Sequence, residues 1–211
     1  MKTVILCGGR GTRLNEETEF RPKPLVPIGG RPIIWHIMKL YSYFGFNDFI
    51  LCLGYKGEMI KQYFLSYDEL AHDFTLALDS GKKKISHHNH QTPKWRITFA
   101  DTGLETETGS RVARIKKYIG NDKEFFLTYG DGVANIDIKK LLTYHRTKKK
   151  IVTVTGIQPT NPFGVIEAEA GLVKSFIEKP QSKDLTSGGF FVCSRKLFDY
   201  LSDDGSCILE R

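Results

Sequence analysis

Short runs of unbroken apolar residues alternate with longer amphipathic stretches along this chain. Val4-Ile5-Leu6-Cys7 is apolar at every position, the pattern of a strand buried on both faces of a parallel sheet. Between Gly8 and Arg31 no period holds, and a patternless loop of that length in a compact domain is usually functional. Pro32 predicts a helix start, Ile33, Ile34, Ile37, Met38, Tyr41 and Phe44 share one face, and Gly45 ends it. Phe49 to Leu53 predicts a second buried strand. The turn Gly54-Tyr55-Lys56-Gly57 then leads into a helix carrying Met59, Ile60, Tyr63 and Phe64. Further strands are expected at Phe74 to Leu78, Trp95 to Ala100, Phe125 to Tyr129, Ile151 to Ile157, Gly164 to Ala168, Val173 to Ile177 and Phe190 to Val192. Helices are expected at Gly109 to Ile119, Ile138 to His145 and Lys196 to Leu201. Strand and helix in alternation predict an α/β fold with a largely parallel sheet. Without a repeat or a linker-like tract, residues 1–211 read as one domain.

Composition removes several classes and adds little else. With 40% hydrophobic and 26% charged residues, the chain is neither disordered nor collagenous nor a coiled coil. No apolar run approaches the ~18 residues of a membrane span, and Gly8-Gly9-Arg10 cuts the first apolar stretch short of a signal peptide. Four scattered cysteines, at 7, 52, 193 and 207, read as reduced thiols of a cytoplasmic protein. The net charge of +7 suits a polyanionic partner. Lys82 to Lys84 and Lys148 to Lys150 read as solvated loop faces, and without a recognition motif beside them neither nucleic acid nor membrane is expected as a partner. His87, His88 and His90 cluster, but no cysteine or acid stands at ligand spacing nearby.

Glycine changes the picture more than charge does. Gly8, Gly9, Gly11, Gly29 and Gly30 lie among Arg10, Arg13, Arg21, Lys23 and Arg31, and glycine beside cations is what a phosphate cradle needs. Leu6-Cys7-Gly8-Gly9-Arg10-Gly11-Thr12-Arg13-Leu14 is not a dinucleotide fingerprint, because Leu14 takes the third glycine's place. Nor is it a Walker loop, since no Gly-Lys-Ser/Thr follows. What remains is a glycine-rich turn after a first strand, either structural or ligand-binding. Arg21-Pro22-Lys23-Pro24 mounts a lysine between two prolines, which suits a phosphate contact and equally a plain loop. Tyr129-Gly130-Asp131-Gly132 follows a buried strand with a carboxylate fit for Mg²⁺, or forms an Asp-Gly turn. Glu178-Lys179-Pro180 places an acceptor beside a cation at another strand end.

In this order and spacing the four motifs resemble the sugar-1-phosphate nucleotidyltransferases, and the resemblance runs through nearly the whole chain. Pro32 to Tyr41, Gly54-Tyr55-Lys56-Gly57, Asp101-Thr102-Gly103 and Thr108-Gly109-Ser110-Arg111 make it most similar to the glucose-type cytidylyltransferases among them. The resemblance implies a Rossmann-like mixed, mostly parallel sheet with helices on both faces. It implies CTP and a sugar 1-phosphate as substrates, CDP-sugar and pyrophosphate as products, and Mg²⁺ as cofactor. Leu6, Gly8, Gly9, Gly11, Thr12 and Arg13 would hold the nucleotide, with Thr108, Gly109 and Arg111 close to it. Arg13 and Lys23 would act on phosphate at the reacting centre, and Asp131 would bind the metal. Glu178 would meet sugar hydroxyls and Lys179 the sugar phosphate. Ser187 stands in the sugar subsite where the glucose-type members carry Asn. The family continues past the position of Arg211 to a second metal-binding Asp and a segment used in oligomer contacts, so a C-terminal truncation is expected, and a homo-oligomer if that segment is present. Another phosphosugar or base, or a non-catalytic nucleotide-sugar-binding module, are the alternative functions.

Overall fold

The computed structural model describes residues 1–11, 18–79, 81–88, 92–159, 162–180 and 184–211. In chain order the elements begin with β1 (Thr3–Leu6), β2 (Pro27–Ile28), β3 (Arg31–Pro32), α1 (Ile33–Tyr43), β4 (Asp48–Leu53) and α2 (Gly57–Leu65). They continue with α3 (Tyr67–Ala71), β5 (Phe74–Asp79), β6 (Lys82–His87), β7 (Arg96–Asp101), α4 (Thr108–Arg114) and α5 (Lys116–Ile119). The chain closes with β8 (Glu124–Tyr129), α6 (Ile138–Lys148), β9 (Val152–Ile157), β10 (Val165–Glu169), β11 (Leu172–Ile177) and β12 (Thr186–Ser194). Tight 3₁₀ turns occur at Lys23–Leu25 and Arg195–Asp199.

One six-stranded sheet organises the molecule, in the order β7-β4-β1-β8-β12-β9. The first four strands run parallel, whereas β12 lies antiparallel between β8 and β9. β1 sits near the middle, with Val4 opposite Ile50 on one side and Leu127 on the other. Its unbroken apolar run follows from burial on both faces. Ile5, Phe49, Leu51, Phe126 and Val192 pack against Ile34, Ile37, Met38 and Tyr41 of α1 and against Ile138 and Leu142 of α6. On the opposite face Val4, Ile50, Phe125, Leu127 and Cys193 meet Val112 of α4, Ile115 just before α5, Ile119 of α5, and Phe198 of the last turn. Each such aliphatic or aromatic side chain contributes roughly 1.5–3 kcal/mol by leaving water. The sheet is thus the expected mixed, mostly parallel one with helices on both faces.

Several local expectations change. Gly109 to Ile119 is two short helices, because the chain tightens at Ile115, whose N–H donates to Val112 O at 3.2 Å instead of one residue further back. Lys82 to Lys84 open a strand, not a loop: β6 pairs antiparallel with β5 from Lys82 opposite Asp79 to His87 opposite Phe74. β5 is the strand expected from its apolar residues, whereas β6 is exposed along nearly its whole length and opens on three lysines, so it shows no half-buried alternation by which a strand is recognised. Gly29 and Gly30 are not part of a phosphate cradle. With φ of +57° and +81° they form the two-residue turn joining β2 to β3, where both central residues need positive φ. Among the described residues no helix is long and apolar enough to cross a membrane.

Candidate active site

Parallel strands in register bring their carboxyl ends to one edge, and there the loops after β1, β4, β7 and β8 converge. Backbone hydrogen bonds continue the sheet past the strands: Cys7 N–H donates to Cys52 O (3.0 Å), Gly130 N–H to Leu6 O (2.9 Å) and Tyr55 N–H to Gly8 O (3.1 Å). A cleft of about 270 Å³ opens at this edge, lined by Leu6, Gly8, Gly9, Gly11, Lys23, Thr108, Arg111 and Asp131 together with Thr106, Glu107 and Tyr129. Residues that lie more than a hundred positions apart in the chain therefore share one wall. A second cleft of about 180 Å³ adjoins it, lined by Thr128, Tyr129, Asp131, Gly132, Ser187, Gly188, Gly189 and Phe190. Tyr129 and Asp131 belong to both and form the partition.

Lys23 and Asp131 meet across this junction as an ion pair, with the ammonium donating to Oδ2. The proline mount has a visible effect here. Pro22, extended at φ −68° and ψ 146°, leads into the turn Lys23–Leu25, and Pro24 is buried. Pro24 also packs where a Gly130 Cβ would stand, 3.0 Å away, so the lysine's anchor and the aspartate's loop are in direct contact. Asp131 is the carboxylate common to both clefts. Among the described residues no group of three His, Cys, Asp or Glu could hold a metal by itself.

Arg111 stands at the candidate nucleotide cleft, and its side chain is held inside the protein. It lines the cleft, yet it is only 4% exposed and its guanidinium is engaged from within the protein. Nη1 donates to Leu53 O (3.2 Å), Gly103 O (2.7 Å) and Thr102 Oγ1 (2.9 Å). Nη2 donates to Gly8 O (3.2 Å) and Leu104 O (3.1 Å). Burial lowers its pKa, with the neighbouring Arg114 adding to the effect, but an arginine keeps its charge throughout. Arg111 thus ties together the loops after β1, β4 and β7. Glycine at position 8 is a steric requirement of this arrangement, since a Cβ would fall 2.1 Å from Arg111 Nη1.

The other implied residues divide. Gly109 lies beneath the C-terminal stretch, its Cβ position 2.7 Å from Cys207 Sγ, and is not part of the cleft wall. Ser187 lines the second cleft. Glu178 and Lys179 line neither; they stand side by side at the end of β11, Nζ to Oε1 3.9 Å, both largely exposed. Thr12 and Arg13 fall outside the described residues, as does His90. Arg10 pairs with Glu105. Cys7 is buried at the cleft wall, which pushes its thiol pKa well above the usual range and leaves it a poor nucleophile. Sequence reasoning missed the linking role of Arg111 and the approach of Glu210 to the cleft. Both depend on contacts between distant segments; Thr108-Gly109-Ser110-Arg111 marks Arg111 as a site residue but not as the link between loops, and no motif marks Glu210.

Known proteins match this arrangement. A family model described as nucleotidyl transferase covers residues 2–206. A Bacillus subtilis protein named probable glucose-1-phosphate cytidylyltransferase is 51% identical over 210 residues, covering 100% of this chain and 81% of that protein. A Salmonella typhimurium glucose-1-phosphate cytidylyltransferase is 45% identical over 207 residues, 98% of this chain and 80% of its own length. The crystal structure of HddC from Yersinia pseudotuberculosis superposes with a TM-score of 0.69 over 100% of this chain and 85% of that one. At 23% identity this establishes the fold alone.

Proposed function

The chain belongs to the nucleotidyl transferase family, and we propose that it transfers the cytidylyl group of CTP to glucose 1-phosphate, forming CDP-glucose and pyrophosphate. The observation that carries this reading is the pair of adjoining clefts with Lys23 and Asp131 at their junction. The choice of CTP and glucose 1-phosphate is supported by the names of the Bacillus and Salmonella relatives.

An oxygen of the sugar phosphate attacks the α-phosphorus of the nucleotide, the new P–O bond forms, and the bond to pyrophosphate breaks. Both reactants are anions, so positioning and charge neutralisation provide most of the catalysis. The turn at Gly8, Gly9 and Gly11 holds the nucleotide, anchored from behind by the Arg111 bond to Gly8 O. Thr12 is assigned to the nucleotide and Arg13 to its triphosphate on the strength of the resemblance. Lys23 neutralises phosphate at the reacting centre, exchanging its carboxylate partner for the substrate. Asp131 fits Mg²⁺, since a single carboxylate beside a phosphate site is the usual protein share of such a coordination shell. When bound there, Mg²⁺ supplies charge stabilisation to the phosphates. Ser187 borders the acceptor. Glu178 and Lys179 are assigned to the sugar hydroxyls and sugar phosphate on the strength of the resemblance.

Pyrophosphate release, measured for the four nucleoside triphosphates against a panel of sugar 1-phosphates, tests the reading. CTP with glucose 1-phosphate should be fastest, and chelating Mg²⁺ should abolish release. A different preferred pairing replaces the substrate assignment, and binding without release identifies a non-catalytic module. Asp131→Asn should shift the Mg²⁺ titration to higher concentration; an unchanged titration removes Asp131 from the metal site.

A further inference from the structure

After the last turn the chain runs as a strap across α4, fastened by a buried serine. Ser110 Oγ donates to Ser202 O (2.8 Å) and accepts from the N–H groups of Gly205 and Cys207 (3.1 Å each), while Ser110 N–H donates to Cys207 O (3.0 Å). Glu107 N–H donates to Gly205 O (2.9 Å), and Leu209 N–H donates to Thr108 Oγ1 (3.0 Å). Gly109 leaves the space through which the strap passes, for a Cβ there would lie 2.9 Å from Cys207 O.

This fastening places Glu210 at the lip of the nucleotide cleft. Thr108 Oγ1 donates to Glu210 Oε2 at 2.8 Å, and the Tyr129 hydroxyl donates to Oε1. Thr108 opens α4 on one wall and Tyr129 closes β8 on the other, so one carboxylate joins both walls. Tyr129 is also the ring that separates the two clefts. It packs edge-on against Phe191 at 5.8 Å between centroids, and Gly189 leaves it room, a Cβ there being 2.9 Å from Tyr129 Cδ2. Burial raises the pKa of the Tyr129 hydroxyl, reinforced by its hydrogen bond to Glu210 and by the Asp131 charge, so it stays a donor.

We infer that Glu210 is a positioning residue: it fixes Tyr129 as the partition between the nucleotide and acceptor clefts, and so aligns two substrates that it does not itself touch. The inference rests on the function proposed above. Losing one such hydrogen bond weakens an equilibrium by roughly five- to tenfold.

Steady-state kinetics on the full-length protein provide the test. Glu210→Ala should raise KM for both CTP and glucose 1-phosphate by about five- to tenfold and lower kcat. Glu210→Gln keeps an acceptor for Tyr129 and should restore all three parameters to within about twofold. In a Tyr129→Phe background, Glu210→Ala should add nothing further. A change confined to one KM, no rescue by Gln, additive effects, or a lower Tm with unchanged kinetics each overturns the inference. Should Glu210→Ala fail to fold, Tyr129→Phe alone must raise both KM values, and unchanged values overturn it. A wild-type protein that neither binds CTP in calorimetry nor releases pyrophosphate overturns the function and this inference together. An active wild type matched by Glu210→Ala overturns the inference alone.

Discussion

The two sides of the cleft are built differently. On the nucleotide side, loops from β1, β4 and β7 converge on the buried Arg111, and Gly8, Gly54 and Gly103 crowd so closely that a Cβ on any of them would fall under 3.0 Å from a neighbour. On the side assigned to the acceptor, among the described residues, β9 is the edge of the sheet and β10 and β11 pair only with each other, leaving Ile166 58% and Phe176 62% exposed. The side assigned to the nucleotide is held by the sheet's own continuation; the Glu178 and Lys179 assigned to the sugar stand at the end of a hairpin that lines neither cleft.

The sharpest challenge to this contrast is at the joint between the two sides. Lys23→Ala should lower turnover by roughly 10²–10³, the scale for losing one charge-stabilising donor; near-normal turnover in a pyrophosphate assay would remove Lys23 from the reaction. On the rigid side, Arg111→Ala takes the guanidinium from Gly103 O and Leu104 O, empties a buried site between three loops, and should cost about 3 kcal/mol or more in urea unfolding. If stability barely changes, the loops are held by something other than Arg111. On the open side, Glu178→Ala should alter stability by less than about 0.5 kcal/mol, as for any exposed substitution, while raising KM for the sugar phosphate and not for the nucleotide. A matching rise for both substrates would erase the division of labour.

The smallest effect concerns pH and the edge of the sheet. His145 is 3% exposed, its Nδ1 lies 2.8 Å from Thr153 Oγ1 of β9, and burial lowers its pKa. The folded state therefore disfavours the proton. The stability linked to neutral His145 is complete above the unfolded pKa of about 6.5 and is lost as pH falls below it toward the lowered folded value. The urea midpoint of the wild type should fall between pH 7.5 and 5.5, and His145→Gln should flatten that fall. An equal slope in the variant would assign the acid sensitivity elsewhere.

How much of this was legible from the chain depends on the range of the contacts involved. α1 could be read from Ile33, Ile34, Ile37, Met38 and Tyr41 because burial on one helical face writes a 3.6-residue period. β6 could not, because with both sheet faces in solvent Lys82 to Lys84 carry no burial pattern. The same holds at the site. Lys23 and Asp131 announce themselves through prolines and glycines beside them, whereas Arg111 and Glu210 owe their roles to partners on other elements. Gly29 and Gly30 show the opposite error, a local composition suited to phosphate that geometry uses for a hairpin.

The central place of β1 has a consequence for synthesis. Its partners are β4 and β8, and β8 is complete only at Tyr129, so the most apolar N-terminal segment keeps one edge open until more than half of the chain exists. At ribosomal rates of ~5–20 residues per second, that wait is roughly 6–25 s. Over that interval Val4, Ile5 and Leu6 offer an unpaired, aggregation-prone edge, which makes the nascent chain a natural client for a chaperone that binds short apolar segments.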